Sequence, residues 1–251
     1  MVGDLITHLI PCSSGYEYIR LGLEGDGGYV LPNDLSNITA CFSPGVNNQI
    51  GFEKDLQQQF GISSHLCDRG IQDIVIDKDW KFEDFWLATS SSPGFSSLLD
   101  WVNMHSKLGT SDLILQMDIE GAEWAIIANT TERLLSRFRI IIIEVHNLGK
   151  ILSWRRWFNE VVPFFFRLFE NHYVAYLHAN NCTPAVKIDQ LIVPDVIEIT
   201  FHRRDRFKTL LDSIYIPSQL DFECVPSKPA IDFFESWLSY LGKEHLVGLS
   251  R

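Results

Sequence analysis

Three acidic side chains, Asp118, Glu120 and Glu123, follow an apolar run that begins at Leu113. A contiguous apolar run is typical of a parallel strand buried on both faces, and ligands collect outside the carboxyl ends of such strands. Acids crowded at one strand end raise one another's pKa unless a cation or a hydrogen-bond donor compensates. One interpretation is therefore a ligand site, and this stretch alone does not decide for it. The alternative is a solvated loop in which Glu120 and Glu123 favour a helix N-terminus.

Two histidines occupy similar positions, because His146 follows the apolar run Ile140–Ile143 and His178 follows Tyr173–Leu177. If these strands are parallel neighbours of the Asp118 strand, all three polar side chains face one crevice. Histidine titrates near neutrality, so either ring is a candidate general base that takes a proton from a hydroxyl. Each histidine, taken singly, has a structural alternative as a hydrogen-bonded rim residue.

The same three residues, Asp118, His146 and His178, are also the candidate ligands of a divalent metal. A carboxylate–histidine set holding Mg²⁺ or Mn²⁺ would acidify a bound hydroxyl. No spacing in the sequence fixes that interpretation, so we favour a site without metal.

A glycine turn earlier in the chain has the arrangement of a ligand loop. A predicted strand over Ile38–Phe42 leads into Gly45, and a predicted helix from about Ile50 to Phe60 follows. This arrangement places backbone N–H groups and a helix N-terminus against a ligand. Asp68 comes 23 residues after Gly45, which is the distance at which an acid hydrogen-bonds ribose hydroxyls in doubly wound folds. A solvated loop aspartate is the alternative.

A second glycine-rich turn, Gly25–Gly28, lies between a predicted short strand at Tyr16–Leu23 and a strand that contains Tyr29. Closing a hairpin is the role we favour for it. The functional alternative is a lid over a ligand, with Asp26 or Tyr29 contributing a polar group.

Strands and helices alternate through most of the chain, which predicts an α/β fold with a doubly wound sheet and right-handed crossovers. We expect one domain over residues 1–251, with an N-terminal extension at 1–24 and a C-terminal appendage at 205–251. Further elements expected from apolar spacing are a third strand at Phe85–Thr89, helices at Ser96–Lys107 and from Glu123 toward Phe138, an amphipathic segment at Trp154–Phe169 interrupted at Pro163, a last strand at Val196–His202 and a helix at Ile231–Leu241.

Composition excludes several classes of protein. A net charge of −11 argues against binding to nucleic acid or to an anionic membrane surface. The five cysteines are scattered and odd in number, which argues against a disulfide framework or a zinc site and for a reducing, cytoplasmic location. No apolar stretch reaches the roughly 18 residues of a membrane helix.

The block from Leu115 to Glu123, which reads Leu-Gln-Met-Asp-Ile-Glu-Gly-Ala-Glu, resembles the signature of the FkbM-type S-adenosylmethionine-dependent methyltransferases. Further similarity lies in the Gly25 turn, the Gly45 turn, the strand end at His146 and the segment His178–Asn181. The resemblance covers roughly residues 20 to 205, and the block at Asp118–Glu123 is its most specific part.

The resemblance implies a class I methyltransferase fold, with seven strands of which the last is antiparallel, and transfer of a methyl group to oxygen. By position, the turn Ser43–Gly45 and Asn47 would hold the methionine part of the cofactor. Asp68 would bind the ribose, and Asp118 would lie near the sulfonium and the acceptor. The sequence departs from the family pattern at Ser43, where many members carry an acid.

We therefore expect an O-methyltransferase that uses S-adenosylmethionine and acts on a sugar hydroxyl in a glycan or glycosylated metabolite, such as a deoxyhexose like rhamnose. His146 or His178 would be the base, Asp118 would orient cofactor or substrate, and Glu120 would complete the catalytic group. One alternative is a degenerate methyltransferase fold that serves as a binding module in a glycan-assembly complex. A nicotinamide-dependent oxidoreductase is a further alternative, but the chain lacks the three-glycine fingerprint of such enzymes.

Overall fold

The computed structural model describes residues 2–71, 75–106, 112–208, 214 and 216–242. The helices are α1 (Val2–Leu9), α2 (Gly51–Phe60), α3 (Leu98–His105), α4 (Glu123–Asn129), α5 (Glu132–Leu135), α6 (Trp154–Arg156), α7 (Val162–Asn171) and α8 (Phe234–Leu241). The strands are β1 (Tyr18–Gly22), β2 (Gly28–Pro32), β3 (Ile38–Pro44), β4 (Ser63–Asp68), β5 (Lys81–Asp84), β6 (Trp86–Ala88), β7 (Phe95–Ser97), β8 (Asp112–Met117), β9 (Phe138–His146), β10 (His172–Asn180), β11 (Val186–Ile188), β12 (Leu191–Val193) and β13 (Val196–Arg203).

Seven strands form one mixed sheet in the order β10-β13-β9-β8-β3-β4-β5. Strands β3, β4, β5, β8 and β9 pair in parallel, whereas β13 runs antiparallel to both of its neighbours, β9 and β10. The predicted α/β architecture is confirmed, and so is the antiparallel last strand. Because the other six strands share one direction, their carboxyl ends lie along a single edge of the sheet.

The apolar run in β9 explains why this strand lies inside the sheet. Ile140 and Ile142 pack on one face together with helix α2 and the hairpin of β1 and β2. Ile141 and Ile143 pack on the other face, in the large cluster that includes residues of α1, α3, α4, α7 and α8. Successive side chains of a strand point to opposite faces, so a continuous apolar run is required where both faces are covered.

The strand predicted at Phe85–Thr89 exists at Trp86–Ala88, but its expected place as the third strand of the main sheet is wrong. The third parallel strand of the sheet is β5, an edge strand whose residues are only partly buried or exposed. Its composition is mostly polar, so it carries no apolar run that would reveal it. Residues Trp86–Ala88 instead form β6, which pairs with β7 outside the main sheet.

Two helix predictions also need correction. The helix expected from Glu123 toward Phe138 is broken into α4 and α5 at Thr130, whose backbone is extended, and Thr131 caps α5 by accepting a hydrogen bond from the backbone N–H of Leu134. The helix expected from Ser96 begins at Leu98 because the Ser97 side chain caps it. Its expected end at Lys107 lies outside the described residues.

The remaining elements agree in place with their predictions. The interruption expected at Pro163 is a π-helical segment, Trp157–Val161, that directly precedes α7. The sequence indicated no helix before Tyr16. The structure has helix α1 there, and it packs against α8 and β10. Among the described residues, no helix is long and apolar enough to cross a membrane.

Candidate functional site

Gly45 allows the loops after β3 and β8 to touch. Its φ angle is +84°, and a Cβ atom at this position would overlap the carbonyl oxygen of Asp118. The backbone N–H of Asp118 donates to the carbonyl of Pro44 at 3.2 Å. A glycine is therefore required here for both conformation and space. The contact places the acid after β8 beside the turn after β3, as the sequence predicted.

A cavity of about 590 Å³ opens on the β4 side of this contact. We call it the β4-side cavity. The Asp68 carboxylate lies at its rim and accepts hydrogen bonds from the backbone N–H groups of Asn47 and Arg69, at 3.2 and 2.7 Å. Trp86 and Phe95, with ring centroids 5.8 Å apart, provide an aromatic wall. The lining of the cavity thus combines an acid with apolar rings.

A second cavity, of about 250 Å³, lies on the other side and is covered by the β1–β2 hairpin. We call it the hairpin-side cavity. The turn contributes Asp26 and β2 contributes Tyr29, so the turn both closes a hairpin and lines a cavity. None of the residues that line this cavity is a lysine or an arginine. Its carboxylates come from Asp26, Glu53, Asp118, Glu120 and Glu144.

The two cavities share a wall. Gly45, Asn47, Asp118 and Glu120 line both of them. A group bound on the β4 side can therefore meet a group bound on the hairpin side at Asp118. This is the arrangement that transfer of a group between two bound molecules requires, because the reacting atoms must approach to roughly 3–3.5 Å.

His146 lines the hairpin-side cavity next to the shared wall. Its Nε2 atom lies 3.4 Å from Glu120 Oε2 and 3.8 Å from Asp118 Oδ1. Glu120 reaches this position from a backbone with φ of +55°, a conformation that is uncommon for a residue with a side chain. These three residues, which the sequence selected, are brought together by the fold.

Glu123 positions this group without entering either cavity. Its side chain is fully buried, and its two oxygens accept hydrogen bonds from the backbone N–H groups of Gly121, at 2.8 Å, and His146, at 2.7 Å. The Nδ1 atom of His146 lies 3.5 Å from the same carboxylate. One buried acid therefore links the loop after β8 to the end of β9.

The surroundings shift the pKa of each group in this cluster. Burial lowers the pKa of His146, but the adjacent Glu123, followed by Asp118 and Glu120, outweighs burial and leaves the pKa raised. Burial raises the pKa of Asp118 to about 7, against the opposing influence of His146. Burial and the charge of Asp118 raise the pKa of Glu144 to about 10, so Glu144 is protonated at neutral pH. A pKa near the working pH suits a proton-transfer group.

His178 is not part of this group. It lines neither the β4-side nor the hairpin-side cavity, and adjoins a separate cavity beside the C-terminal segment. Its Nδ1 atom lies 3.0 Å from Asp221 Oδ1, and its Nε2 atom lies 3.8 Å from Cys224 Sγ. The expectation that Asp118, His146 and His178 share one crevice is therefore wrong for His178. The chain beyond β13 occupies the space that the prediction left open.

The same separation changes the candidate metal ligands. The expected set was Asp118, His146 and His178. In the structure the ligand atoms of Asp118, Glu120 and His146 all lie within 4.8 Å of one another, and those of His178 belong to a different group.

Ser43 also departs from its expected place. It is fully buried, its hydroxyl lies 3.4 Å from Cys41 Sγ, and it lines neither cavity. Behind it lies Glu53 of α2, which does line the hairpin-side cavity and is 1% exposed. Burial raises the pKa of Glu53 to about 7, although the Ser43 hydroxyl opposes the shift. Within the described residues, Oε2 of Glu53 has no hydrogen-bond partner.

The acids at the opposite edge of the sheet have different neighbours. Asp34 is buried there. Its Oδ2 atom accepts a hydrogen bond from Nε of Arg206 at 2.6 Å and lies 3.1 Å from Nε2 of His202. Asp112 at the same edge is bonded to Arg139 and to Arg203. Acids at the amino edge are thus neutralised by arginines, as structural acids usually are. Those lining the hairpin-side cavity have no such partner among its lining residues, which supports a ligand site.

Sequence reasoning did not single out Glu53 or Cys224, and it gave Glu123 no positioning role. The signal for Glu53 was present, since an acid between Phe52 and Leu56 lies on the apolar face of a helix. Glu123 already stood in the acidic block. Nothing in the sequence pointed to Cys224, which lies 46 residues beyond its partner His178.

One family model matches part of this chain. Residues 100–165 match the family model described as "Methyltransferase FkbM domain". The matched range contains Asp118, Glu120, Glu123 and His146, and it confirms the resemblance inferred from the sequence. The match supports a methyltransferase. A comparison with curated proteins finds no match.

Two solved structures are similar to this chain. One is a SAM-dependent methyltransferase from Archaeoglobus fulgidus, at 12% identity and a TM-score of 0.38, with 67% of this chain and 88% of that chain covered. The other is a 30S ribosomal A1408 methyltransferase from an uncultured bacterium, at 11% identity and a TM-score of 0.32, with 74% and 100% covered.

Proposed function

We propose that this chain is a class I methyltransferase that uses S-adenosylmethionine to methylate a hydroxyl group, with a sugar as the acceptor. The observation that carries the proposal is the pair of cavities that meet at Gly45 and Asp118. This junction lies at the carboxyl edge of the sheet, where open α/β folds bind their ligands. The acidic loop that forms it falls within the range that matches the FkbM domain.

The β4-side cavity fits the cofactor. Gly45 lines it without a side chain, and the Asp68 carboxylate can accept hydrogen bonds from ribose hydroxyls. Trp86 and Phe95 provide apolar rings for the adenine. Asn47 and Asp118 would hold the methionine end beside the shared wall. When bound, the cofactor supplies an electrophilic methyl group.

The hairpin-side cavity supplies the groups for an acceptor hydroxyl. His146 Nε2 faces the shared wall and would take the hydroxyl proton. Glu123 fixes the end of β9 that carries the imidazole, and its negative charge stabilises the imidazolium that forms. Asp118 and Glu120 would orient the acceptor, since carboxylates accept hydrogen bonds from hydroxyls.

The lining of this cavity favours a polyhydroxylated acceptor. Besides the five carboxyl groups it includes the side chains of Gln116, Asn180 and Thr183. Such a set offers many hydrogen-bonding groups at short spacing, which a sugar can satisfy. We propose a deoxyhexose-containing glycan or glycosylated metabolite, for example one that contains rhamnose.

A binding module without catalytic activity is the second candidate. The observation that favours it is Ser43, which replaces an acid of the family pattern and faces away from both cavities. Under this alternative the fold would serve a glycan-assembly complex without transferring a methyl group.

One experiment separates the two candidates. The full chain is titrated with S-adenosylmethionine in a calorimeter, then incubated with methyl-labelled cofactor and a panel of deoxyhexose-containing glycans. The enzyme proposal predicts cofactor binding and label in at least one glycan. Absence of cofactor binding would favour the module, whereas cofactor binding without label in any glycan of the panel would overturn the sugar assignment alone. Parallel reactions with added Mg²⁺ or chelator test whether Asp118, Glu120 and His146 act through a metal.

A further inference from the structure

A second group of reactive side chains lies outside the proposed catalytic site. His178 on β10 and Glu198 on β13 face Cys224 of the C-terminal segment. Both His178 and Glu198 are buried, and Cys224 is partly buried. We call these three residues the His178 cluster. The proposed methyl transfer uses none of them.

The distances within the His178 cluster match a tetrahedral metal site. Cys224 Sγ lies 3.8 Å from His178 Nε2 and 3.5 Å from Glu198 Oε1, and all three ligand atoms lie within 4.8 Å of one another. Zinc binds sulfur at about 2.3 Å and nitrogen or oxygen at about 2.0–2.2 Å, so tetrahedral ligands are roughly 3.6 Å apart. Two of the three separations are therefore close to the spacing that a bound ion requires, and the third lies within 4.8 Å.

The residue behind His178 supports the same conclusion. Histidines that bind metal usually donate a hydrogen bond from their second ring nitrogen to a carboxylate, which fixes the ring orientation and the tautomer. Here Nδ1 of His178 lies 3.0 Å from Asp221 Oδ1, so Nε2 is left to face Cys224. Asp221 is held in turn by the hydroxyl of Tyr176 at 2.6 Å and by the backbone N–H of Ser218 at 2.6 Å.

The surroundings of the His178 cluster also favour a cation. Asp26, which lines the hairpin-side cavity together with Cys224, adds negative charge near the thiol. Glu223 adds a further carboxylate beside His178, and its Oε2 atom has no hydrogen-bond partner among the described residues. Arg20 lies near Glu198, but it donates its hydrogen bonds to the carbonyls of neighbouring loops.

We infer that His178, Glu198 and Cys224 form a binding site for a soft divalent cation such as Zn²⁺, with Asp221 orienting the histidine. A thiolate with an imidazole selects zinc-like ions over Mg²⁺ or Mn²⁺. Three protein ligands leave a fourth position open to water. Binding releases the thiol proton to solvent and involves no oxidation.

Such an ion would fix one wall of the hairpin-side cavity. Cys224 and Val225 line this cavity and belong to the segment that follows β13. At present the segment is held to β10 by the Asp221 contacts and by the backbone N–H of Val225, which donates to Asn181 Oδ1 at 2.8 Å. A metal would add a link from Cys224 to both β10 and β13.

The site can be tested with Co²⁺, which reports thiolate ligation through a sulfur-to-cobalt charge-transfer absorption. The full chain is stripped with a chelator and titrated with Co²⁺, and Zn²⁺ is then added. We expect one equivalent of Co²⁺ to produce the absorption and Zn²⁺ to remove it. No charge-transfer absorption in the parent protein would overturn the inference.

Substitutions locate the ion. Cys224→Ser should abolish the absorption, whereas Cys182→Ser, which removes an exposed thiol of the same cavity lining, should leave it unchanged. Asp221→Asn should weaken Zn²⁺ affinity by about 10–100-fold, as losses of such orienting carboxylates do. An absorption that persists in Cys224→Ser would place the ion elsewhere and overturn the inference.

A measurement on the parent protein covers the case in which Cys224→Ser fails to fold. The native chain is alkylated with iodoacetamide with and without Zn²⁺, and each cysteine is followed by peptide mass spectrometry. Zn²⁺ should protect Cys224 and leave Cys182 reactive. Equal alkylation of Cys224 under both conditions would overturn the inference. None of these readouts depends on methyl transfer, so the proposed function stands or fails separately.

Discussion

His146 and His178 occupy similar positions in the sequence, and the fold gives them different surroundings. Each lies near the carboxyl end of a buried strand, and β13 lies between the two strands. His146 lines the hairpin-side cavity, with Nε2 directed at Asp118 and Glu120. His178 is enclosed by the C-terminal segment, which contributes Asp221 and Cys224. A strand end therefore brings a histidine to the functional edge, but its neighbours decide its chemistry.

The comparison extends to the carboxylates around each ring. On the His146 side, burial raises the pKa of Asp118 to about 7 and of Glu53 to about 7. On the His178 side, hydrogen bonds from His178 and Tyr176 outweigh burial and lower the pKa of Asp221. An acid with a raised pKa is available to exchange protons near neutrality, whereas one with a lowered pKa is a fixed charge. Asp221 is thus a fixed charge beside His178, whereas burial raises the pKa of Glu198 in the same cluster as it does those of Asp118 and Glu53.

The largest predicted effect is on catalysis. His146→Ala should lower methyl transfer by about 10²–10⁴-fold and leave S-adenosylmethionine binding largely intact, because it removes the proposed base. His178→Ala should lower methyl transfer by a smaller factor than His146→Ala, since the His178 ring lies outside both cavities. Turnover and calorimetric cofactor binding are measured side by side. Equal losses from the two substitutions, or none from either, would refute the division of roles.

A second prediction uses the pH dependence of stability. Burial raises the pKa of Glu53 from its ordinary value of 4.5 to about 7, and the residue is 1% exposed. The folded chain therefore keeps this proton at pH values where the unfolded chain loses it. The stability it gives is present below pH 4.5 and is lost as pH rises through 7. Relative to Glu53→Gln, the parent should lose on the order of 3 kcal/mol over this window.

The matched control for the pH prediction is Asp221→Asn. The lowered pKa of Asp221 gives stability that is present above the ordinary aspartate pKa of 3.8 and is lost as the pH falls below it. Denaturant unfolding of the parent and both variants across the pH range measures the two slopes. If the Glu53 and Asp221 contributions to the free energy of unfolding changed with pH in the same direction, the His146 and His178 sides would not differ in this way.

A third prediction concerns Glu123. Glu123→Gln keeps the size of the side chain but leaves only one oxygen for the N–H groups of Gly121 and His146. One buried donor then loses its acceptor, which should reduce the free energy of unfolding by about 2 kcal/mol. Turnover should fall as well, because His146 loses its support. Glu132→Gln, at the start of α5, is the control and should change neither quantity. Unchanged turnover in Glu123→Gln would contradict the positioning role.

The smallest predicted effect is on the His178 side. Tyr176→Phe removes a 2.6 Å hydrogen bond to Asp221 and should reduce the free energy of unfolding by about 1 kcal/mol. Turnover should change far less than in Glu123→Gln, since Tyr176 lines neither cavity. Parallel unfolding and activity measurements test this. A loss of turnover as large as that from Glu123→Gln would erase the distinction between the two histidine sites.

Several expectations stay predictions. These are the single-domain organisation of residues 1–251, the catalytic and cofactor roles of the individual residues, the sugar acceptor, the absence of nucleic-acid partners and the cytoplasmic location. The argument from scattered cysteines against a zinc site also stays a prediction; the fold brings Cys224 close to His178 and Glu198, and the proposed cation site there would contradict it. Spacing along the chain detects only sites whose ligands come from one short segment.

The sequence by itself determined the central strands and one block of the site. Ile140–Ile143 forms the inside of the sheet because four β-branched residues in a row fit only a strand that is covered on both faces. The block from Asp118 to Glu123 marked the functional edge, since its acids and glycine are adjacent in the chain. Tertiary structure alone decided that Glu123 supports the end of β9, that Ser43 faces inward and that His178 binds the C-terminal segment. Those contacts join residues more than 20 positions apart or depend on which face a side chain takes, and no local pattern encodes either.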